Sequence, residues 1–185
     1  MNKLYKLYAD SKNLSSFIQY ETVLDSYFYI KYWNWKQVEL ESYQPVKLEL
    51  RKSDNGKKNY QFDLTVDNNL LILSEKAVEV LKPILENKGL FLEIITDSKR
   101  KKFIGFYPNN IYSHDMANLD KSDWGQSDKG KIFFKMEFNN YPQKEYIFVV
   151  DGSALNIYAT ERFKKLVEKY DLKGLFFEEV LLISE

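Results

Sequence analysis

The chain has 185 residues, with 27 basic and 27 acidic side chains, no net charge and no cysteine. That length can bury a sizeable single-domain core, and the missing cysteine excludes disulfides, Cys-ligated zinc, iron–sulfur clusters and thiol catalysis. Balanced charge argues against a dedicated nucleic-acid binder, whose affinity rests on neutralising phosphates.

The first residues, MNKLYKLYADSKNL, are polar and interrupted, unlike the apolar core of a signal peptide. No apolar run reaches the ~18 residues that span a bilayer. The expectation is a cytoplasmic protein without a membrane partner. Within this segment KLYKLYAD reads as a strand. Residues 26–40, SYFYIKYWNWKQVEL, are aromatic and β-prone. Read as a strand, one alternating set is Tyr27, Tyr29, Trp33 and Trp35, and the other is Phe28, Ile30, Tyr32 and Val38. PVKLELR (45–51) and NYQFDLTV (59–66) flank KSDNGKK, whose Asp54-Asn55-Gly56 tolerates positive φ. This reads as a hairpin.

Two cassettes follow one plan and end in nearly the same residues, KGLFLE (Lys88–Glu93) and KGLFFE (Lys173–Glu178). In the first, Leu70–Leu73 reads as a buried strand and Ser74 as the cap of a helix that begins at Glu75. Ala77, Val80, Leu81, Ile84 and Leu85 form its apolar face. Pro83 interrupts the backbone bonding, and Gly89 stands where a left-handed residue ends a helix. Leu90–Ile95 is then a strand. In the second, Thr160 is the cap, and Phe163, Leu166, Val167 and Tyr170 are the buried face. Gly174 is the stop, and Leu175–Ile183 a strand. Parallel and antiparallel joining of the strands both remain open for each cassette.

Between them lie strands at KFIGFYP (102–108), KIFFKMEF (131–138) and KEYIFVV (144–150), with a polar connector before the second. The expected class is α+β: a mixed or antiparallel sheet of about eight to ten strands with two main helices packed on it. The expectation is a single domain over 1–185, with a variable β-rich part at 1–68 and an α+β core at 69–185.

The chain is poor in chemistry. The sole histidine, His114, stands beside Asp115. As a general base oriented by a carboxylate the pair would suit a small hydrolase or nuclease, but no nucleophile is marked near it. His114, Asp115, Asp120 and Asp123 match the spacing of neither the helix-borne zinc motif nor the calcium loop. No metal and no cofactor is expected. The basic runs KSDNGKK and Lys99–Lys102 would suit a nucleic-acid-interacting accessory protein; both are turn-like and read first as solvated surface. The aromatic stretch reads first as core and second as a recognition surface, since Trp and Tyr dominate interface hot spots. Trp124, in the polar KSDWGQSD, is either anchored inward or offered to a partner.

The second half resembles a family of immunity proteins from bacterial polymorphic toxin systems. The likeness rests on LILSEKAVEVLKPILENKGLFLEI (71–94), FIGFYPNNIYSHDMANLDKSDW (103–124), YIFVVDG (146–152) and NIYATERFKKLVEKYDLKGLFFEEV (156–180). It covers roughly residues 60–183. The resemblance implies a protein that is not an enzyme. Such a protein binds a cognate toxin domain and neutralises it sterically, and brings no catalytic residues. Immunity to nuclease toxins often uses an acidic face, whereas this chain is neutral. On this reading the contact surfaces are the aromatic stretch and the 112–128 connector, with Tyr32, Trp33, Trp35, Asp115, Asp120 and Trp124 as the partner-binding candidates.

Overall fold

The computed structural model describes residues 3–19 and 28–183. In chain order the elements are β1 (Leu4–Ala9), β2 (Ser16–Ile18), α1 (Phe28–Lys31), β3 (Val46–Arg51), β4 (Leu64–Asp67) and β5 (Leu70–Ser74). Then come α2 (Glu75–Leu85), β6 (Gly89–Leu92), β7 (Ile94–Thr96), β8 (Phe103–Pro108), β9 (Ile111–Tyr112), β10 (Asp123–Ser127) and β11 (Gly130–Lys135). β12 (Ile147–Val150), β13 (Tyr158–Thr160), α3 (Glu161–Lys169) and β14 (Leu175–Val180) complete the chain. The class is α+β, as expected. The strands do not form one large sheet, however; they divide into sheets of five, four, three and two strands.

Both cassettes fold the same way. β5 and β6 each pair antiparallel with β8, so they run parallel to one another with β8 between them. β13 and β14 each pair antiparallel with β1 and flank it in the same manner. The inserted strand follows the cassette in the first case and comes from the N-terminus in the second. After β6 the chain breaks at Glu93, and β7 leaves to pair in parallel with β3.

The five-stranded sheet, β14-β1-β13-β12-β9, separates two cores. Alternation along each strand makes this possible. Ile147 and Val149 of β12 face the larger core with Leu7, Leu71, Leu81 and Phe163. Phe148 and Val150 face the smaller one with Leu4, Phe133, Phe138 and Tyr158.

Several local expectations need correction. KSDNGKK does turn, with Gly56 at φ 76° and its N–H donating to the Ser53 carbonyl. Its flanking segments do not pair with each other. β3 pairs with β2 and β7 instead. β4 is taken by β5 through the tight turn Asn68-Asn69, with Asn68 at φ 52°. Asn tolerates that left-handed position, so the true hairpin lies one strand later.

Ser74 caps α2 as expected, its Oγ accepting from Ala77 N–H at 3.3 Å. Pro83 lies within α2, two residues before its end. Thr160 does not cap α3 with its side chain. Its hydroxyl donates to the Glu145 carbonyl at 2.7 Å, tying the helix start to the segment before β12. Tyr170 is 44% exposed rather than buried. The chain reverses immediately after it, so the residue leaves the packed face.

The two Lys-Gly glycines do different work. α3 runs to Lys169, and Asp171, two residues on, is the left-handed residue that closes it, with φ 46°. Leu172 N–H reaches the Val167 carbonyl and Asp171 N–H the Glu168 carbonyl, the paired bonds of a Schellman motif. Gly174 is needed three residues later. It has φ 119°, and a Cβ there would collide with the Leu64 carbonyl oxygen and Phe62. Gly89 is not left-handed. It is the first residue of β6, and a Cβ would strike the backbone of Tyr107 and Pro108 on β8.

Candidate protein-binding surface

Residues 28–38 do not form a strand. Residues 26 and 27 lie outside the described residues. Phe28, Tyr32, Trp35 and Val38 are all buried, at steps of four, three and three residues. That is a helical rhythm. α1 and a 3₁₀ turn at Trp33–Trp35 realise it. The centre of the packing is Tyr107 on β8. Its ring lies 5.3 Å from Phe28, 6.0 Å from Tyr32 and 5.6 Å from Trp35. The Tyr107 hydroxyl lies 3.2 Å from the Tyr32 carbonyl and 3.0 Å from that of Lys36, to which its proton is offered. Asn69 Nδ2 also donates to the Tyr32 carbonyl, at 3.1 Å.

Tyr32 and Trp35 are therefore core residues, each 5% exposed, and not partner contacts. A ring buried against Tyr107 is unavailable to another protein. Trp33 points the other way and is 39% exposed. The turn between them is strained: Asn34 has φ 53° and Trp35 has φ 59°. Asn accepts that region readily, whereas for Trp35 it costs roughly 1–2 kcal/mol. Burial of Trp35 offsets part of this. The rest of the restraint comes from Asn34, whose Nδ2 donates to Asp151 Oδ1 at 3.3 Å. Its Oδ1 accepts from Gly152 N–H at 3.2 Å.

Asp151 and Gly152 form the turn after β12, and the polar connector meets them there. Asp151 N–H donates to the Tyr112 carbonyl at 2.9 Å. His114 Nδ1 lies 3.7 Å from Asp151 Oδ2, and its ring packs 5.8 Å from Phe133. The Gly152 carbonyl accepts from Phe133 N–H at 2.8 Å. Gly152 has φ 79°, and a Cβ would press on the Lys131 carbonyl. The β10–β11 hairpin is thus held directly against the turn.

The connector is more ordered than its composition suggests, since it carries β9, a 3₁₀ turn at His114–Met116, and β10. Trp124 lies on β10 opposite Phe133 and is 37% exposed. Its Nε1 donates to the Leu119 carbonyl at 3.1 Å, and Lys131 Nζ sits 5.6 Å over its ring. Asp120 is exposed in a turn that Asn118 holds by accepting from Lys121 and Ser122 N–H.

Four of the six candidates, Trp33, Asp115, Asp120 and Trp124, are therefore exposed. They sit on segments that converge on Asp151–Gly152. The residues that make this junction, Asn34, Asp151 and Gly152, were not among the candidates. The dipeptide Asp-Gly at the end of the apolar YIFVV run is a turn signal that marks the place.

The arrangement bears on catalysis too. Asp115 is not the partner of His114: its carboxylate accepts from Ser113 Oγ at 2.7 Å. Its N–H donates back to the same hydroxyl at 3.2 Å. Among the described residues no three His, Asp or Glu side chains converge as metal ligands. In the second basic run, Lys101 is already engaged, donating to the Phe62 carbonyl at 2.6 Å and to Asp63 Oδ1 at 2.9 Å. Among the described residues no helix is long and apolar enough to cross a membrane. No protein-family model matches the chain, and no curated protein gives a significant match.

Proposed function

We propose that this protein is a bacterial immunity protein, acting in the cytoplasm without cofactor or catalysis, that binds a cognate toxin domain and neutralises it by steric occlusion. The observation that carries this reading is the Asp151 junction. Two half-exposed tryptophans, Trp33 and Trp124, are presented there by separate segments tied to one turn. Aromatic anchors on a rigid base suit tight association, because little conformational freedom is lost on binding. The exposed carboxylates Asp115 and Asp120 supply a polar rim. The resemblance of residues 60–183 to immunity proteins supplies the class of partner.

Co-expression with the toxin domain encoded beside it tests the reading. The expected outcome is a one-to-one complex and survival of the host cell. Trp33→Ala or Trp124→Ala should weaken the complex by about 30-fold or more. A toxin domain that neither binds nor is silenced would overturn the proposal.

A further inference from the structure

A cleft of about 460 Å³ opens where β1 and β14 meet the end of β11. It lies on the face of the five-stranded sheet that also bears Leu4 and Tyr158. Lys6 of β1 and Glu178 of β14 stand opposite each other in the register and line it. Glu137 is on its wall, and only 3% of that residue is exposed. Its backbone is fixed on both sides: the N–H donates to Ser122 Oγ at 3.0 Å, and the carbonyl accepts from Asn118 N–H at 2.8 Å. Its carboxylate is half satisfied. Oε1 meets Lys135 Nζ at 2.6 Å. Oε2 is buried and has no hydrogen-bond partner among the described residues. A buried acceptor without a donor is costly, and a ligand that supplies the donor recovers that cost.

The surroundings narrow the donor. The face of Tyr8 is already covered by Lys6, whose Nζ lies 4.8 Å from the ring centre. Phe134 is 67% exposed and lies over Gly125, leaving a ring face toward solvent. A planar cation can lie on such a face while donating in its own plane, which an ammonium cannot do. Lys135 is no obstacle, being 74% exposed on a flexible stem. The rim mixes charged and apolar groups: beside Lys6, Lys135, Glu178 and Glu179 it carries Phe134 and Leu181, the latter 58% exposed, and just outside it Phe176 stands opposite Tyr8 in the register. A small free ligand would leave these apolar groups in water, whereas a polypeptide would cover them.

We infer that the cleft is a second binding site, which receives an arginine side chain of a peptide or protein partner. Its guanidinium donates to Glu137 Oε2 and lies on Phe134, and the flanking residues cover Leu181 and Phe176. The site is separate from the Asp151 junction and does not depend on the toxin reading.

The test titrates the full chain with blocked pentapeptides Ala-Val-X-Val-Ala, where X is arginine, lysine or norleucine, and with free arginine. Backbone amide shifts in NMR spectra are the readout. The arginine peptide should give saturable shifts at residues 134–137 and 178–181. Glu137→Gln and Phe134→Ala should each weaken it about tenfold or more. Phe134 is exposed, so that variant keeps its fold and decides the matter if Glu137→Gln does not fold. The inference is overturned by absence of saturable binding at millimolar peptide, or by affinity unchanged in the variants. Equal binding of the lysine or norleucine peptide also overturns it, and equal binding of free arginine overturns the assignment to a polypeptide. Failure of the toxin complex would leave these outcomes untouched.

Discussion

Asp63 and Lys173 bind each other twice. Asp63 N–H donates to the Lys173 carbonyl at 2.6 Å, and Lys173 N–H donates to Asp63 Oδ2 at 3.3 Å. The other carboxylate oxygen accepts from Ser74 Oγ at 3.3 Å and Lys101 Nζ at 2.9 Å. One buried carboxylate thus joins the cap of the first cassette to the Lys-Gly of the second.

Asp63→Asn should therefore cost about 2–4 kcal/mol of stability, because Lys101 keeps its charge and loses its partner. Urea unfolding measures this. In the double variant with Lys101→Met the two losses should not add, since both remove one interaction. Burial alone would raise the Asp63 pKa, but the Lys101 hydrogen bond and charge, the Lys173 N–H and the Lys76 charge outweigh it and lower it. The folded value is below the unfolded one. The contribution of Asp63 is then present above the ordinary carboxylate value and is lost as pH falls through the lowered one.

Asp67 should act in the opposite sense. Burial pushes its pKa up to about 6, against the hydrogen bond from Gln19 N–H. The folded protein holds this proton more tightly than the unfolded chain. Stability from this group is complete below about pH 4 and is lost as pH rises through about 6, by on the order of 2 kcal/mol. Asp67→Asn cannot ionise. Its stability relative to the parent should rise between pH 4 and pH 7, and a constant difference would count against the assignment.

Gly174→Ala and Gly89→Ala should each destabilise by more than about 3 kcal/mol, since in both a Cβ meets backbone that cannot yield. Gly56→Ala separates the steric from the conformational effect. Its surroundings are open, so only the positive φ is opposed, at about 1 kcal/mol. Thermal unfolding of the three variants gives the order.

The tryptophans should divide in the same way. Trp35→Ala removes a buried ring from the Tyr107 cluster and should cost about 3–5 kcal/mol of stability. Trp33→Ala should change stability by less than about 1 kcal/mol while weakening the proposed toxin complex. A Trp33 variant that unfolds would make that ring part of the scaffold.

Much of the local structure was legible in the residues. The apolar run Leu70–Leu73, the Ser74 cap and the stripe through Leu81 and Leu85 announce strand, cap and helix, because each signal lies within a few residues of its effect. The same holds for the exposure of Trp33, Asp115, Asp120 and Trp124 only in part. Composition marked Trp124 as undecided, and its anchor, the Leu119 carbonyl, is a matter of the folded turn.

What the chain alone determined is the α+β class and the strand–helix–strand order of the two cassettes. The tertiary structure decided the rest, for reasons that are not local. Strand partners come from far along the chain, so β8 and β1 enter cassettes that nothing nearby assigns to them. Gly89 and Gly174 look like helix stops in sequence, yet each is required by another strand's backbone at close approach. The aromatic stretch has strong β propensity, but Tyr107 draws Phe28, Tyr32 and Trp35 onto one side, which only helical turns can satisfy. That choice leaves Trp33 outside, beside Asn34 and its bonds to the Asp151 turn.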